Sequence, residues 1–324
     1  MCGRFCLCTV NLETKLKEIG IGVDNQWIDK DKHKPRYNCA PRSYIPVIRK
    51  SDKENSATLQ SMMWGFVPYF AQKMPDTQPI NARDDTLIGG SPVFDKSKNQ
   101  RRCIVVADGF YEWKKLSNGK KIPYYTKRKD GQLMLFAGIY DEAQPNDWKG
   151  SATLCTTAII TTSASSFFSF LHDRMPVILE VDQVEHWLNK SSSWSTDLTK
   201  LMKPFEGQLD CYQVTDKVGS TSNESPDFIV PVDSLKSSIS NFFTKSSSPT
   251  QLPKTALPDK PKSPSPSTIS PFPSPKKESK TFFSTTGTKR SNDEKTNSDS
   301  QKLKRVKQEP ATNNIKQFFH AKSK

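Results

Sequence analysis

No apolar run in this 324-residue chain approaches the ~18 residues that cross a bilayer, so no membrane span is expected. A secretory leader is also missing. Leu7 to Val10 is a short apolar patch with no cleavage site behind it, and export is not expected. The seven cysteines are odd in number and irregular in spacing. That pattern excludes a disulfide framework and reads as an intracellular chain with reduced thiols. Histidine is scarce, at four. Without a second cysteine pair, Cys6-x-Cys8 is too tight and too poor in partner ligands for a zinc site. Neither a metal nor a cofactor is expected. No glycine-rich loop opens a helix, which excludes a phosphate cradle of the nucleotide-binding kind. No internal repeat marks the apolar part of the chain.

Tryptophan, tyrosine and cysteine run out early. All six Trp, all eight Tyr and all seven Cys lie at or before Tyr212. From about Lys236 the chain turns to Ser, Pro, Lys and Thr. Residues 236–324 hold 18 Lys and Arg against 6 Asp and Glu, so they carry +12 of the whole-chain +14. The basic balance belongs to this tail, and the first 235 residues are near neutral. The division predicts one folded domain over 2–235 and a disordered basic tail over 236–324.

The folded part reads as α+β with strands predominant. Short runs rich in Val, Ile, Phe and Tyr predict strands at 3–9, 45–49, 57–64, 103–107, 109–114, 134–139, 153–161 and 176–179. Helices are expected at 12–19, with Asn11 as cap, and at 181–188. Such a mix suggests one strongly bent or barrel-like sheet with peripheral helices.

What is present begins at the second residue. A small residue after Met1 favours removal of the initiator, which would leave Cys2 with a free α-amine beside its thiol. The two groups titrate near about 8 and 8.5, so both are partly nucleophilic at neutral pH. Such a 1,2-aminothiol condenses with an aldehyde. The amine forms a Schiff base and the thiol then closes a thiazolidine ring. Four apolar–polar junctions join it: Arg36-Tyr-Asn38-Cys-Ala-Pro41, Pro79-Ile-Asn81-Ala-Arg83, Asp108-Gly-Phe-Tyr-Glu112-Trp-Lys114 and His172-Asp-Arg174-Met-Pro176. Each places polar side chains beside a strand end. Plainer readings stand beside them. Asn38 and Asn81 suit turns that bond their own backbone. Glu112 alternates with Tyr111 and Trp113, as on the wet face of a strand. His172 suits a helix end, Arg174 an ion pair, and Trp64 the core.

Taken together, Met-Cys-Gly-Arg, Arg-Tyr-Asn-x-Ala-Pro, Trp64-Gly65, Asn81-Ala-Arg83, Asp108 to Lys114 and His172 to Pro176 resemble the SRAP family. The name stands for SOS response-associated peptidase. The pieces follow the family's order across residues 2–235. Val214 to Gly219 and Ile229 to Val232 resemble its closing strands. The resemblance implies that Cys2 bonds covalently to an abasic site in single-stranded DNA and shields it from strand breakage. It also implies catalytic roles for Asn81, Glu112 and His172. Arg4, Asn38, Pro41, Arg83 and Arg174 then become DNA-binding positions, and Trp64, Phe66 and Pro68 a stacking or wedging surface. Two other readings remain: a thiol peptidase that cleaves its own Met1–Cys2 bond, and a non-covalent reader of modified cytosine in DNA. The chain is expected to act as a monomer.

The tail carries addresses. Lys289-Arg290 and Lys302 to Lys307 resemble a bipartite nuclear signal, which predicts a nuclear location. Ile315, Phe318 and Phe319 resemble a sliding-clamp docking motif, and Ile239, Phe242 and Phe243 repeat its spacing. Both segments lack the motif's leading Gln. Ser-Pro pairs recur from Ser248 to Ser274, and Lys307 fits a SUMO-attachment pattern.

Overall fold

A computed structural model describes residues 2–24, 26–51, 56–150, 152–191 and 193–235, which all fall within one compact unit. The tail motifs, with Ile315, Phe318 and Phe319, lie outside the described residues. The chain runs β1 (Phe5–Leu7), α1 (Leu12–Glu18), β2 (Trp27–Ile28), β3 (Arg36–Cys39), β4 (Tyr44–Lys50), β5 (Ala57–Trp64) and β6 (Asn81–Arg83). Next come α2 (Asp84–Gly89), α3 (Asp95–Gln100), β7 (Arg102–Ala107), β8 (Gly109–Lys115) and β9 (Lys121–Arg128). It closes with β10 (Met134–Ala143), β11 (Leu154–Ser163), β12 (Arg174–Pro176), β13 (Ile178–Leu179), α4 (Val181–Leu188), α5 (Thr196–Thr199) and β14 (Leu209–Gln213).

The larger sheet is ordered β12-β11-β10-β7-β4-β5-β2. It bends until β11 also pairs with β5, in parallel, at Thr156↔Met63 and Thr157↔Trp64. Strands β5, β4, β7, β10 and β11 thereby form a closed ring, which leaves those strands no free edge. The second sheet is ordered β14-β9-β8-β1-β3. Asp108 alone separates β7 from β8, so the chain steps from one sheet to the other at that residue. Its carboxylate fastens the step by accepting the backbone N–H of Cys8 at 2.7 Å and of Thr9 at 3.0 Å. Gly109 follows because nothing larger fits. A Cβ there would lie 2.5 Å from the Thr126 carbonyl and from the Tyr125 ring.

The main core lies between the sheets. Phe5, Leu7, Trp64, Phe110, Val105 and Phe136 are fully buried in it. Burying a side chain of that size contributes roughly 1.5–3 kcal/mol. A smaller cluster covers the other face of the second sheet, with Cys6, Tyr111, Tyr125, Val214, Val218 and Phe228. Alternation along β1 therefore sends Phe5 and Leu7 one way and Cys6 the other.

The strong apolar runs form the strands expected of them. Three details differ. Asn11 precedes α1 but sits at φ 61° and makes no side-chain cap bond; its carbonyl instead accepts from Thr14 and Lys15. The segments expected as closing strands are not strands: the first holds a 3-10 turn at Asp216–Gly219, and the second begins at the end of another, Pro226–Ile229. Thr215 and Ser225 start those turns by accepting N–H groups two residues on, which competes with strand pairing. The last strand is β14, paired with β9.

Candidate active site

Cys2 leads directly into β1, and β1 pairs antiparallel with β8 at Phe5↔Phe110 and Cys6↔Gly109. The Tyr111 N–H donates to the Arg4 carbonyl at 2.9 Å, which extends the ladder toward Glu112. Asn81 arrives from elsewhere. It opens β6, a strand paired in parallel with β11 at Ile159↔Asn81. Its Nδ2 donates to the Cys2 carbonyl at 3.0 Å. Its Oδ1 is buried with no hydrogen-bond partner among the described residues. Cys2 is fully buried. That burial, reinforced by the nearby Glu112 carboxylate, holds its thiol well above the usual range and so protonated.

Glu112 is buried on β8 and also lines a cleft of about 660 Å³. His172 and Arg4 stand on the walls of the same cleft. His172 comes from the β11–β12 connection. Its Nδ1 accepts the Arg174 N–H at 3.0 Å, which leaves the proton of a neutral ring on Nε2. The same Nδ1 lies 2.7 Å from Asp173 Oδ1, so a protonated ring has a carboxylate to meet. Arg4 is held at its fork. Nη1 donates to Asn38 Oδ1 at 2.8 Å and to the Val218 carbonyl at 3.0 Å, and Nη2 to the Gly219 carbonyl at 3.2 Å. Its guanidinium carbon lies 5.6 Å from the centre of the Trp113 ring.

The remaining sequence-derived positions divide by burial. Asn38 is fully buried and spans two segments: its Nδ2 donates to the carbonyls of Ser220 and Asn223 at 2.9 Å each. It positions Arg4 and offers no face to a ligand. Trp64 and Phe66 are fully buried too, which corrects the expectation of a stacking surface. The Trp64 indole donates to the Ile80 carbonyl at 2.9 Å, bracing the residue before Asn81. Phe66 packs edge-on to Phe94. Arg174 is 7% exposed and donates to Asp84 at 2.8 Å, so the plainer ion-pair reading describes it, though inside the protein. Arg83 is exposed and paired with Asp85. Pro41 is exposed at the tip of a turn closed by the Ser43 N–H on the Ala40 carbonyl at 3.1 Å.

Sequence reasoning missed the basic and aromatic wall of the cleft. Lys114, Lys115 and Lys121 line it with Phe170. Phe170 is 45% exposed, with Lys114 Nζ 5.2 Å from its ring centre and the Tyr124 ring 5.8 Å away. The pairing of β8 with β9 sets Lys115 opposite Lys121, and no single segment shows that convergence.

Residues 1–221 match the family described as SOS response associated peptidase (SRAP). The abasic site processing protein YoqW of Bacillus subtilis is 36% identical over 231 residues, covering 71% of this chain and 99% of that protein. An abasic site processing protein of Saccharomyces cerevisiae is 35% identical over 231 residues, covering 68% of this chain and 59% of that protein. A crystal structure of a protein from Bacteroides thetaiotaomicron aligns with a TM-score of 0.60 at 26% identity, covering 71% of this chain and 99% of that one. The family match takes in Cys2, Asn81, Glu112 and His172 alike, and this chain belongs to the SOS response associated peptidase (SRAP) family.

Proposed function

We propose that this protein processes abasic sites in single-stranded DNA by bonding Cys2 covalently to the sugar once Met1 is removed. The observation that carries the reading is the setting of Cys2, whose carbonyl is held by Asn81 with Glu112 close to its thiol. The names of the relatives support the substrate.

An abasic deoxyribose opens to an aldehyde at C1′. The α-amine adds to that carbon and water leaves, giving an imine. The thiol then adds to the same carbon, sulfur loses its proton and nitrogen gains one. The amine acts first and the thiol second, because the thiol closes the ring on the imine carbon that the amine has made. Glu112, beside the thiol, is suited to carry the proton from sulfur to nitrogen. Asn81 Oδ1, a buried acceptor, suits an N–H of the freed α-amine. His172 on the cleft wall suits proton transfer at the sugar oxygens during ring opening and reclosure. Arg4 and the lysines beside Glu112 give the cleft a positive rim for phosphates, and Phe170 a face for a base.

The resulting adduct would shield the lesion from elimination and protect replicating DNA from breakage. Self-cleavage of the Met1–Cys2 bond belongs to the same proposal, with Cys2 as its nucleophile. The tail would supply nuclear import through Lys289 to Lys307. Ile315, Phe318 and Phe319 would dock a sliding clamp.

Mixing the protein with a single-stranded oligonucleotide carrying one abasic site should give a denaturation-resistant conjugate. Cys2→Ala should give none, and Cys2→Ser at most a labile imine. A stable conjugate from Cys2→Ala would remove the proposal. Full DNA binding by that variant, with no conjugate from the wild type, would favour the reader of modified bases.

A further inference from the structure

We infer that Cys6 and Cys8 form a second thiol site, a peroxide-oxidisable pair that closes an i,i+2 disulfide at the end of β1. Cys6, Cys8 and Asp108 bring their ligand atoms within 4.8 Å of one another. Strand alternation puts both cysteines on the face of the second sheet away from the main core. Cys6 is buried in the smaller cluster, and half-buried Cys8 packs against it. β1 ends at Leu7, so Cys8 lies beyond the regular ladder, where the backbone can give. The pairing of β1 with β3 is already irregular across Phe5 to Leu7. A disulfide needs its sulfurs about 2.05 Å apart, and this is the segment able to pucker.

The thiols are unequal in a useful sense. The neighbouring Cys8 and burial push the Cys6 thiol above the usual range, and the same neighbour holds Cys8 below it, while the Cys6 thiol donates to Asp108 Oδ2 at 4.0 Å. Cys8 is half-buried and Cys6 fully buried, so Cys8 is the thiol a peroxide reaches and attacks, and Cys6 is the resolving thiol. Cys8 attacks a hydroperoxide, the O–O bond breaks, and Cys8 becomes a sulfenic acid while the peroxide leaves as water or alcohol. Cys6 then attacks that sulfur, the S–O bond breaks, and water leaves as the S–S bond forms. The pair loses two electrons and two hydrogens, and the peroxide accepts them. A metal fits less well, because Asp108 already accepts from Cys8 N, Thr9 N and Thr9 Oγ1.

Trypsin cleaves after Arg4 and Lys15, and the peptide between them holds only these two cysteines. The full chain is treated with a few equivalents of hydrogen peroxide, alkylated, digested without reductant and weighed. The peptide should be lighter by two hydrogens and unalkylated, while the peptides of half-buried Cys155 and Cys211 stay alkylated. Their sulfurs accept from Gln60 and Thr126 instead. In Cys6→Ser, Cys8 should persist as a sulfenic acid that dimedone traps. In Cys8→Ser and Cys8→Ala, Cys6 should stay a thiol. An alkylated peptide of unchanged mass, with Cys155 or Cys211 oxidised first, would overturn the inference. So would equal oxidation of Cys6 in both Cys8 variants.

Discussion

Glu112→Gln keeps the side chain's size and its place on β8 but removes the group that can carry a proton. Adduct formation should slow by about 10²–10⁴-fold, the usual range for losing a general acid–base group. His172→Ala should slow release of the linkage more than its formation, because reclosing the sugar needs a proton moved at its oxygens. Single-turnover kinetics in both directions separates the two; unchanged rates in both variants would reduce these residues to scaffolding. The sequence pointed to Cys2, Asn81, Glu112 and His172 by residue type, and the fold brings Asn81 to Cys2 and sets Glu112 and His172 in one cleft. Burial was not legible. Asn38 and Arg174 sit in the same kinds of junction and Trp64 and Phe66 were read as a stacking surface, yet all four are buried. Side-chain type cannot tell an Asn that holds a ligand from one that holds Arg4 and the Val218–Asn223 turn.

Strand pairing is what sets the site's geometry. β1 delivers Cys2, β8 delivers Glu112 and β6 delivers Asn81, and each depends on a partner distant in sequence. Gly109→Ala tests this scale. Its Cβ would meet the backbone oxygen of Thr126 at 2.5 Å, and backbone cannot step aside as a flexible side chain can. Overpacking of this kind costs typically 1–3 kcal/mol. The variant should unfold at lower denaturant and, with β8 pushed away from β9 and so strained where it pairs with β1, form adduct slowly even where it is folded. Adduct formation at the wild-type rate in a destabilised variant would show that the position of β8 does not set the reactivity of Cys2. The long alternating strands β4, β5, β7, β8 and β10 were readable from their apolar pattern. β3, β6 and β9 were not. β6 spans three residues and β9 contains Pro123 among charged residues. Such strands are fixed by neighbours rather than by their own propensity.

At the scale of the whole molecule, the proposed function assigns the chemistry to residues 2–235 and the address to the tail. Ending the chain at residue 235 removes +12 of charge, both basic clusters and both Ile-x-x-Phe-Phe segments, but no residue of the cleft. The shortened protein should form adduct at near wild-type rates at moderate salt and fail to accumulate in the nucleus, as fluorescence imaging would show. A steep salt dependence confined to the full chain would instead mean that the tail supplies the phosphate contacts. Composition is the basis of this expected division, because Trp, Tyr and Cys stop before the basic tail begins. The closed ring was harder to read, because the β11–β5 pairing joins residues far apart in sequence. The most direct test of the account is the intact mass of the purified protein before and after mixing with an abasic single-stranded oligonucleotide, with and without borohydride. The account predicts a chain without Met1, then a conjugate equal to protein plus oligonucleotide minus one water, unchanged by borohydride because the ring holds no imine. A conjugate that keeps Met1, or one that gains two hydrogens from borohydride, would contradict it.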